Sequence, residues 1–235
     1  MHKLEFYTVK ISDIIIETPI IKRFFLTFDS PIIFQAGQFI ILKFEGLKHQ
    51  FDTRSYSIAD FTCSNILEIC ISLKDEGAAT PILFEKKIGE ELCSSLPQGR
   101  FVITEEAVLK PLFFICTGTG VAPFRSMIKE LLLYKFFTKS INLYFGCRTR
   151  EDILYFEEFK LLMKTYPNFK YFPILSREKW EGETGYVHPY YLKELENKPD
   201  ALFYLCGWTT MLKETRDNLK AIGYERKDIK VEFYD

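Results

Sequence analysis

Two short segments of this 235-residue chain carry residue types suited to holding a phosphorylated cofactor. The first is Thr117-Gly118-Thr119-Gly120-Val121-Ala122-Pro123, which follows the apolar run Leu112–Cys116 and opens a helical pattern. Glycines at such a turn let the backbone come close to a phosphate, and the free amides and positive dipole of a helix start attract it. Pro123 stands where a Gly-x-Gly-x-x-Gly fingerprint has its third glycine, so the pattern also fits a plain strand-to-helix connection. The second segment is Arg54-Ser55-Tyr56-Ser57, in an extended stretch. Side chains alternate along a strand, which gives Arg54 and Tyr56 one face and Ser55 and Ser57 the other. A guanidinium for a pyrophosphate, a ring for a flat heterocycle and a hydroxyl for a ring nitrogen would suit a flavin. An ordinary amphipathic strand contains the same residues.

The elements that must aim these segments fall into two halves. From Glu5 to about Ile103, runs rich in Ile, Phe, Val, Tyr and Thr at Phe6–Ile11, Ile20–Phe28, Gln38–Phe44, Arg54–Ala59 and Leu67–Leu73 predict strands. Gly37, Gly46 and Asp75-Glu76-Gly77 read as turns between them, a spacing that predicts an antiparallel barrel or sandwich. Thr80-Pro81 predicts the start of a short helix running to about Lys87, with Thr80 as N-cap and Pro81 in the first helical position. After Lys110 the rhythm becomes strand, turn, helix. Predicted strands Leu112–Cys116, Ile141–Phe145, Tyr171–Leu175, Leu202–Cys206 and Ile229–Tyr234 alternate with predicted helices Val121–Phe137, Glu151–Thr165, Pro189–Glu196 and Thr210–Ile222. Five strands with crossover helices imply a parallel, doubly wound α/β sheet. The charged stretch Thr104–Lys110 interrupts both patterns, so the expected domains are 1–106 and 107–235.

Composition narrows the chemistry. With 47% apolar residues, 23 Phe and 13 Tyr, the chain has ample core and no case for disorder. Thirty-one basic against 32 acidic residues give a net charge of −1, without the basic field that nucleic-acid binding usually needs. No run approaches a membrane span of about 18 apolar residues and the first residues lack a secretory core, so a soluble cytoplasmic protein is expected. The closest of the six cysteines (63, 70, 93, 116, 147 and 206) are seven residues apart, and His2, His49 and His188 have no helical pairing. Cys-x-x-Cys and histidine metal sites are thereby disfavoured, and the chemistry is expected to come from an organic cofactor.

In motif order and along nearly the whole chain, the sequence resembles the ferredoxin–NADP reductase family of FAD-dependent oxidoreductases. The family's Arg-x-Tyr-Ser/Thr motif stands here as RSYS, its Gly-x-x-Ser/Thr as Gly77-Ala78-Ala79-Thr80 and its Gly-Pro-x-Gly-x-Phe turn as LPQGRF, with Leu96 for the first glycine. The nicotinamide motif resembles GTGVAPF, a Cys-Gly-x-x-x-Met segment follows at Cys206–Met211, and the chain closes in VEFYD, similar to the Val-Glu-x-Tyr ending of plant-type members.

The resemblance implies an antiparallel six-stranded FAD-binding barrel followed by a five-stranded α/β domain for NADP(H). Arg54 would hold the FAD pyrophosphate, Ser55 would join the flavin site, Tyr56 would pack on the isoalloxazine and Ser57 would bond near N5. Gly77 and Thr80 would complete the phosphate site, and Tyr234 would lie on the flavin face. Thr117, Gly118, Thr119 and Gly120 would cradle the nicotinamide dinucleotide, with Cys206, Gly207 and Met211 beside it. Arg148, Ser176 and Arg177 resemble the segments that hold a 2′-phosphate, although the arginines also fit as solvated loop charges. Ser57, Cys206 and Glu232 would serve the reacting edge, and Cys206 also fits as a small core residue. The implied function moves electrons between NADPH and a one-electron carrier protein such as ferredoxin or flavodoxin, in a monomer. Trp180 and Gly185–Val187 also look like NADH-using reductases of oxygenase or cytochrome b5 reductase type, which leaves NADH and an oxygenase component as the alternative.

Overall fold

The computed structural model describes residues 4–45, 53–62, 64–74 and 77–234. Gly46, Asp75, Glu76, Asp235, His2, His49 and Cys63 lie outside the described residues. The chain divides into two compact units, Met1–Val102 with Ala122–Glu130, and Ile103–Val121 with Leu131–Asp235.

The first unit is a wholly antiparallel sheet of β1 (Tyr7–Thr18), β2 (Ile21–Thr27), β3 (Phe39–Lys43), β4 (Thr53–Ser57), β5 (Ile66–Ser72) and β6 (Glu91–Ser94), in the order β4-β3-β6-β1-β2-β5. A bridge between Ile58 and Ile69 joins the two ends of that order and closes it into a barrel. Alternate residues such as Ile11, Phe24, Leu26, Ile40, Leu42 and Ile69 point inward and are buried, as a sheet with one face on a core requires. Strand β1 runs past its predicted end at Ile11. Its residues Tyr7–Lys10 pair with β6, residues from Lys10 onward pair with β2, and the register shifts between Ile11 and Asp13. The polar pair Ser12-Asp13 therefore marks a bulge rather than a turn, and the strand bends to serve two partners. Helix α1 (Thr80–Glu85) follows. Helix α2 (Ala122–Lys129) also belongs to this unit, with Phe124 against Phe101 and Met127 Cε filling the space that a Cβ on Gly37 would occupy.

The second unit is a parallel sheet of β7 (Leu112–Thr117), β8 (Ile141–Cys147), β9 (Phe169–Leu175), β10 (Glu183–Thr184), β11 (Leu202–Gly207) and β12 (Ile229–Phe233), in the order β10-β9-β8-β7-β11-β12. Strands β7, β8 and β11 are buried along nearly their whole length, which is why their sequences are continuous apolar runs. The sheet has six strands where five are expected. The sixth is Glu183–Thr184, two exposed residues pairing with Ile174 and Leu175, too short and too polar to carry a strand pattern. Helices α3 (Phe156–Thr165), α4 (His188–Glu194) and α5 (Thr209–Ala221) form the crossovers.

Two predicted helices are interrupted. The stretch expected over Val121–Phe137 is α-helical only through Lys129 and ends in one π turn, Glu130–Tyr134. The stretch expected from Glu151 begins as a 3-10 turn, because the Asp152 carboxylate accepts the Thr149 N–H (3.0 Å) and hydroxyl (2.9 Å) and closes the chain on itself. Tyr155, at φ 57°, separates that turn from α3. Among the described residues no helix is long and apolar enough to cross a membrane, and no group of three or more His, Cys, Asp or Glu side chains is arranged to hold a metal ion.

Candidate functional site

In the first unit, β4 pairs with β3 so that Arg54 lies opposite Leu42 and Tyr56 opposite Ile40. Arg54 Nη1 donates to the Thr53 carbonyl at 2.8 Å, which folds the guanidinium back toward its own strand. The Tyr56 ring packs against the barrel core, and its hydroxyl is buried without a hydrogen-bond partner among the described residues. Burial pushes the Tyr56 phenol pKa up, against a smaller lowering by Arg54. Ser55 and Ser57 share a face by alternation but not an environment, since Ser55 is exposed and Ser57 is 4% exposed. Tyr56→Phe removes a buried hydroxyl that has no partner among the described residues. Ligand-free Tyr56→Phe is therefore expected to unfold at higher denaturant, by about 1 kcal/mol. A lower midpoint would show the hydroxyl satisfied.

Thr80 differs from its expected role. It is the first helical residue, Ala79 is the N-cap, and among the described residues no side chain caps α1. The Thr80 hydroxyl instead accepts the Lys74 N–H at 2.9 Å and donates to the Lys74 carbonyl at 3.3 Å, while the Gly77 N–H donates to that carbonyl at 2.8 Å. With both contacts made to Lys74, the hydroxyl is committed to holding that residue rather than to capping the first helical turn.

In the second unit, the glycine turn and the Cys-Gly segment interlock. A Cβ on Gly120 would lie 2.6 Å from the Cys206 carbonyl oxygen and 2.9 Å from Gly207 Cα. Gly207 adopts φ +135°, and its Cβ would lie 2.4 Å from Thr117 Oγ1. Thr117 Oγ1 in turn accepts the Trp208 N–H at 3.0 Å. Gly118 starts the turn at φ +54°, Thr119 is half-buried in it, and Val121 ends it. The turn sits at the carboxyl end of β7, whose neighbours β8 and β11 lead away in opposite directions. Such a switch point is where open α/β sheets form a ligand crevice.

Three predicted residues meet at the adjacent strand ends. Cys206 is fully buried and stands opposite Glu232 in the β11–β12 register. Burial raises the Cys206 thiol pKa well above its ordinary value, nearby Glu232 raises it further, and a hydrogen bond with Tyr234 opposes both. At neutral pH the thiol is therefore protonated, a neutral packing group rather than a nucleophile. Met211 is buried in the core of this unit, where its sulfur accepts the Thr215 hydroxyl at 3.5 Å.

Arg148 and Arg177 come together beyond β8 and β9. The Arg177 N–H donates to the Arg148 carbonyl at 2.9 Å, and the Ser176 N–H and hydroxyl both donate to the Cys147 carbonyl, at 2.9 and 3.1 Å. Both arginines are exposed, and the Arg148 guanidinium stands 5.6 Å from the Trp208 ring centre. In the sequence Trp208 reads as a spacer between Gly207 and Met211, and its position beside a glycine motif is the one signal it carries. Arg125 and Glu68, both buried and paired at 2.9 Å, had no signal at all, since each sits in an apolar pattern that reads as core.

Residues 114–217 match the oxidoreductase NAD-binding domain family. The chain is 33% identical over 238 residues to the phenol hydroxylase P5 protein of Acinetobacter pittii (strain PHEA-2), covering 98% of this chain and 66% of that protein. It is 31% identical over 241 residues to the phenol 2-monooxygenase reductase component DmpP of Pseudomonas sp. (strain CF600), covering 99% and 67%. The chain thus spans about two thirds of the length of these relatives. A crystal structure of a ferredoxin NADP+ reductase from Neisseria gonorrhoeae with bound FAD and NADP matches the fold with a TM-score of 0.83 at 22% identity, covering 98% of this chain and 99% of that one. With kinship along nearly its whole length and the same pairing of an antiparallel and a parallel sheet, the chain belongs to the ferredoxin–NADP reductase-like flavoprotein oxidoreductases.

Proposed function

We propose that this protein is an FAD-dependent oxidoreductase that takes electrons from NADPH and passes them singly to a separate carrier protein, a ferredoxin, a flavodoxin or an oxygenase component. The observation that carries the reading is the meeting of the glycine turn, Cys206, Glu232 and Tyr234 at one edge of the parallel sheet. The first unit fits the cofactor, since the buried Tyr56 hydroxyl has no partner among the described residues and stands on the same strand as Arg54 and Ser57.

When bound, FAD supplies the exchange between a two-electron nicotinamide and a one-electron carrier, which no side chain here can perform. The chain's residues bind and orient. Arg54 holds the pyrophosphate, Ser55 lies alongside, Tyr56 packs on the ring system and Ser57 offers its hydroxyl at N5. The segment Gly77–Thr80 closes the phosphate end. The amides of Thr117–Gly120 hold the nicotinamide dinucleotide, with Gly207 and Met211 shaping the floor, while neutral Cys206 and Glu232 keep water from the reacting edge. Tyr234 would lie on the flavin face, where it would compete with a bound nicotinamide.

Arg148, Ser176 and Arg177 hold a 2′-phosphate in this reading. Arg148→Ala and Arg177→Ala are each expected to raise KM for NADPH by roughly one to two decades and to leave KM for NADH nearly unchanged, because only NADPH carries that phosphate. Steady-state kinetics with both nucleotides checks this, and an equal rise for both would make the arginines structural. A second reading is an NADH-dependent oxygenase reductase, and the similarity to the reductase component of phenol 2-monooxygenase supports its oxygenase acceptor. Stopped-flow comparison of NADH and NADPH separates the two, and reduction of a panel of ferredoxin, flavodoxin and oxygenase component identifies the acceptor.

A further inference from the structure

Six charged side chains of the first unit form a chain of ion pairs that includes the segment leaving β4. Glu17 pairs with Arg23 at 2.8 Å, Arg23 with Glu68 at 2.6 Å, Glu68 with Arg125 at 2.9 Å and Arg125 with Asp60 at 3.6 Å, and Lys129 closes on Asp60. Three cations thus balance three carboxylates. Arg125 and Glu68 are 5% and 2% exposed. Pairs this deep add little stability over apolar side chains of the same size, because desolvation offsets the attraction. Geometry is what they add.

Arg125 Nη1 donates to the Ala59 carbonyl at 2.9 Å as well as to the Glu68 carboxylate, and the Ala59 N–H donates to the Glu68 carbonyl at 2.8 Å. Arg125, Ala59 and Glu68 therefore close a ring of three hydrogen bonds. Next to it, the Ser126 hydroxyl donates to the Asp60 carbonyl at 3.1 Å, and the Ile58 N–H donates to the Gln38 carbonyl at 2.9 Å. The backbones of Ile58, Ala59 and Asp60, the three residues after Ser57, are all held.

We infer that Arg125 is a positioning residue that fixes the exit of β4 and so sets where the Ser57 hydroxyl stands. The inference rests on the reading of β4 as the flavin strand. Both bonds leave Nη1, whose two hydrogens lie in the rigid guanidinium plane and aim at two acceptors at a set angle, whereas a lysine ammonium turns freely about its Cε–Nζ bond. Helix α2, which carries Arg125, starts at the residue after the glycine turn.

Arg125→Lys tests this, since it keeps a positive charge for Glu68 and loses the fixed in-plane donor geometry. In flavin-free Arg125→Lys, amide hydrogen exchange at residues 58–60 is expected to quicken about tenfold or more, with the β1–β2 pair unchanged. In the FAD-loaded variant, the rate of flavin bleaching by the preferred nucleotide is expected to fall about tenfold, with flavin retained and KM within about twofold. Glu68→Gln, which keeps the shape and removes the charge, is expected to show the same pattern and serves if Arg125→Lys folds poorly. Unchanged exchange at residues 58–60 overturns the clamp. Faster exchange with bleaching within about twofold of wild type overturns the positioning role. A wild-type protein that takes up no FAD overturns the flavin reading and the positioning role with it, and the exchange data still decide the clamp.

Discussion

Gly120→Ala is expected to weaken nicotinamide-nucleotide binding by about 5- to 150-fold while leaving FAD in place. The added Cβ would sit 2.6 Å from the Cys206 carbonyl oxygen and 2.7 Å from its carbonyl carbon, where nothing can rotate away because both atoms are backbone. Relief requires the turn or the end of β11 to move. Overpacking of this kind costs roughly 1–3 kcal/mol, and about 1.4 kcal/mol is already a factor of ten in affinity. Gly207→Ala is expected to do the same from the other side, with the additional strain of a side chain at φ +135°. Equilibrium titration of each variant with NADPH and NADH, beside flavin content from the visible spectrum, makes the comparison. Nucleotide affinities within about twofold of wild type would show that the interlock has no part in binding.

Arg54→Ala is expected to release the flavin. A charge-assisted hydrogen bond to a pyrophosphate contributes about 1.5–3 kcal/mol, so its loss raises the FAD dissociation constant about 10- to 150-fold. Ser57→Ala, which loses a neutral bond of about 1 kcal/mol, is expected to cost about fivefold. Ultrafiltration followed by absorbance of the retained protein ranks the two. Full flavin retention and an unchanged spectrum in Arg54→Ala would falsify the assignment of that arginine to the pyrophosphate.

What could be read beforehand was local. The RSYS strand, the glycine turn and the buried parallel strands each announce themselves within a few residues, because alternation, helix starts and apolar runs are short-range properties. Features that depend on partners far along the chain were not visible. Strand β1 exceeds its predicted length because β2 and β6 both claim it. The role expected of Thr80 as a cap went instead to holding Lys74, a contact made across a loop. Arg125 appeared as one polar position in a helix, and its partners Ala59 and Glu68 lie 66 and 57 residues away. Gly120 looks like an isolated motif residue, while the steric reason for it is the backbone of Cys206 and Gly207, far along the chain.

The membership of helix α2 in the first unit bears on how the protein is made. A ribosome delivers residues 1–102 first, yet the place for Met127 beside Gly37 and for Phe124 beside Phe101 stays unfilled until Ala122–Glu130 has emerged. By then β7 is already outside the exit tunnel and waiting for β8 and β11. The barrel is thus finished by a piece of chain synthesised after the other unit has begun, and the two units cannot mature strictly in turn. A nascent chain halted near residue 110 should leave the apolar seat of α2 open to solvent and to chaperones, whereas one halted beyond residue 130 and clear of the tunnel should not.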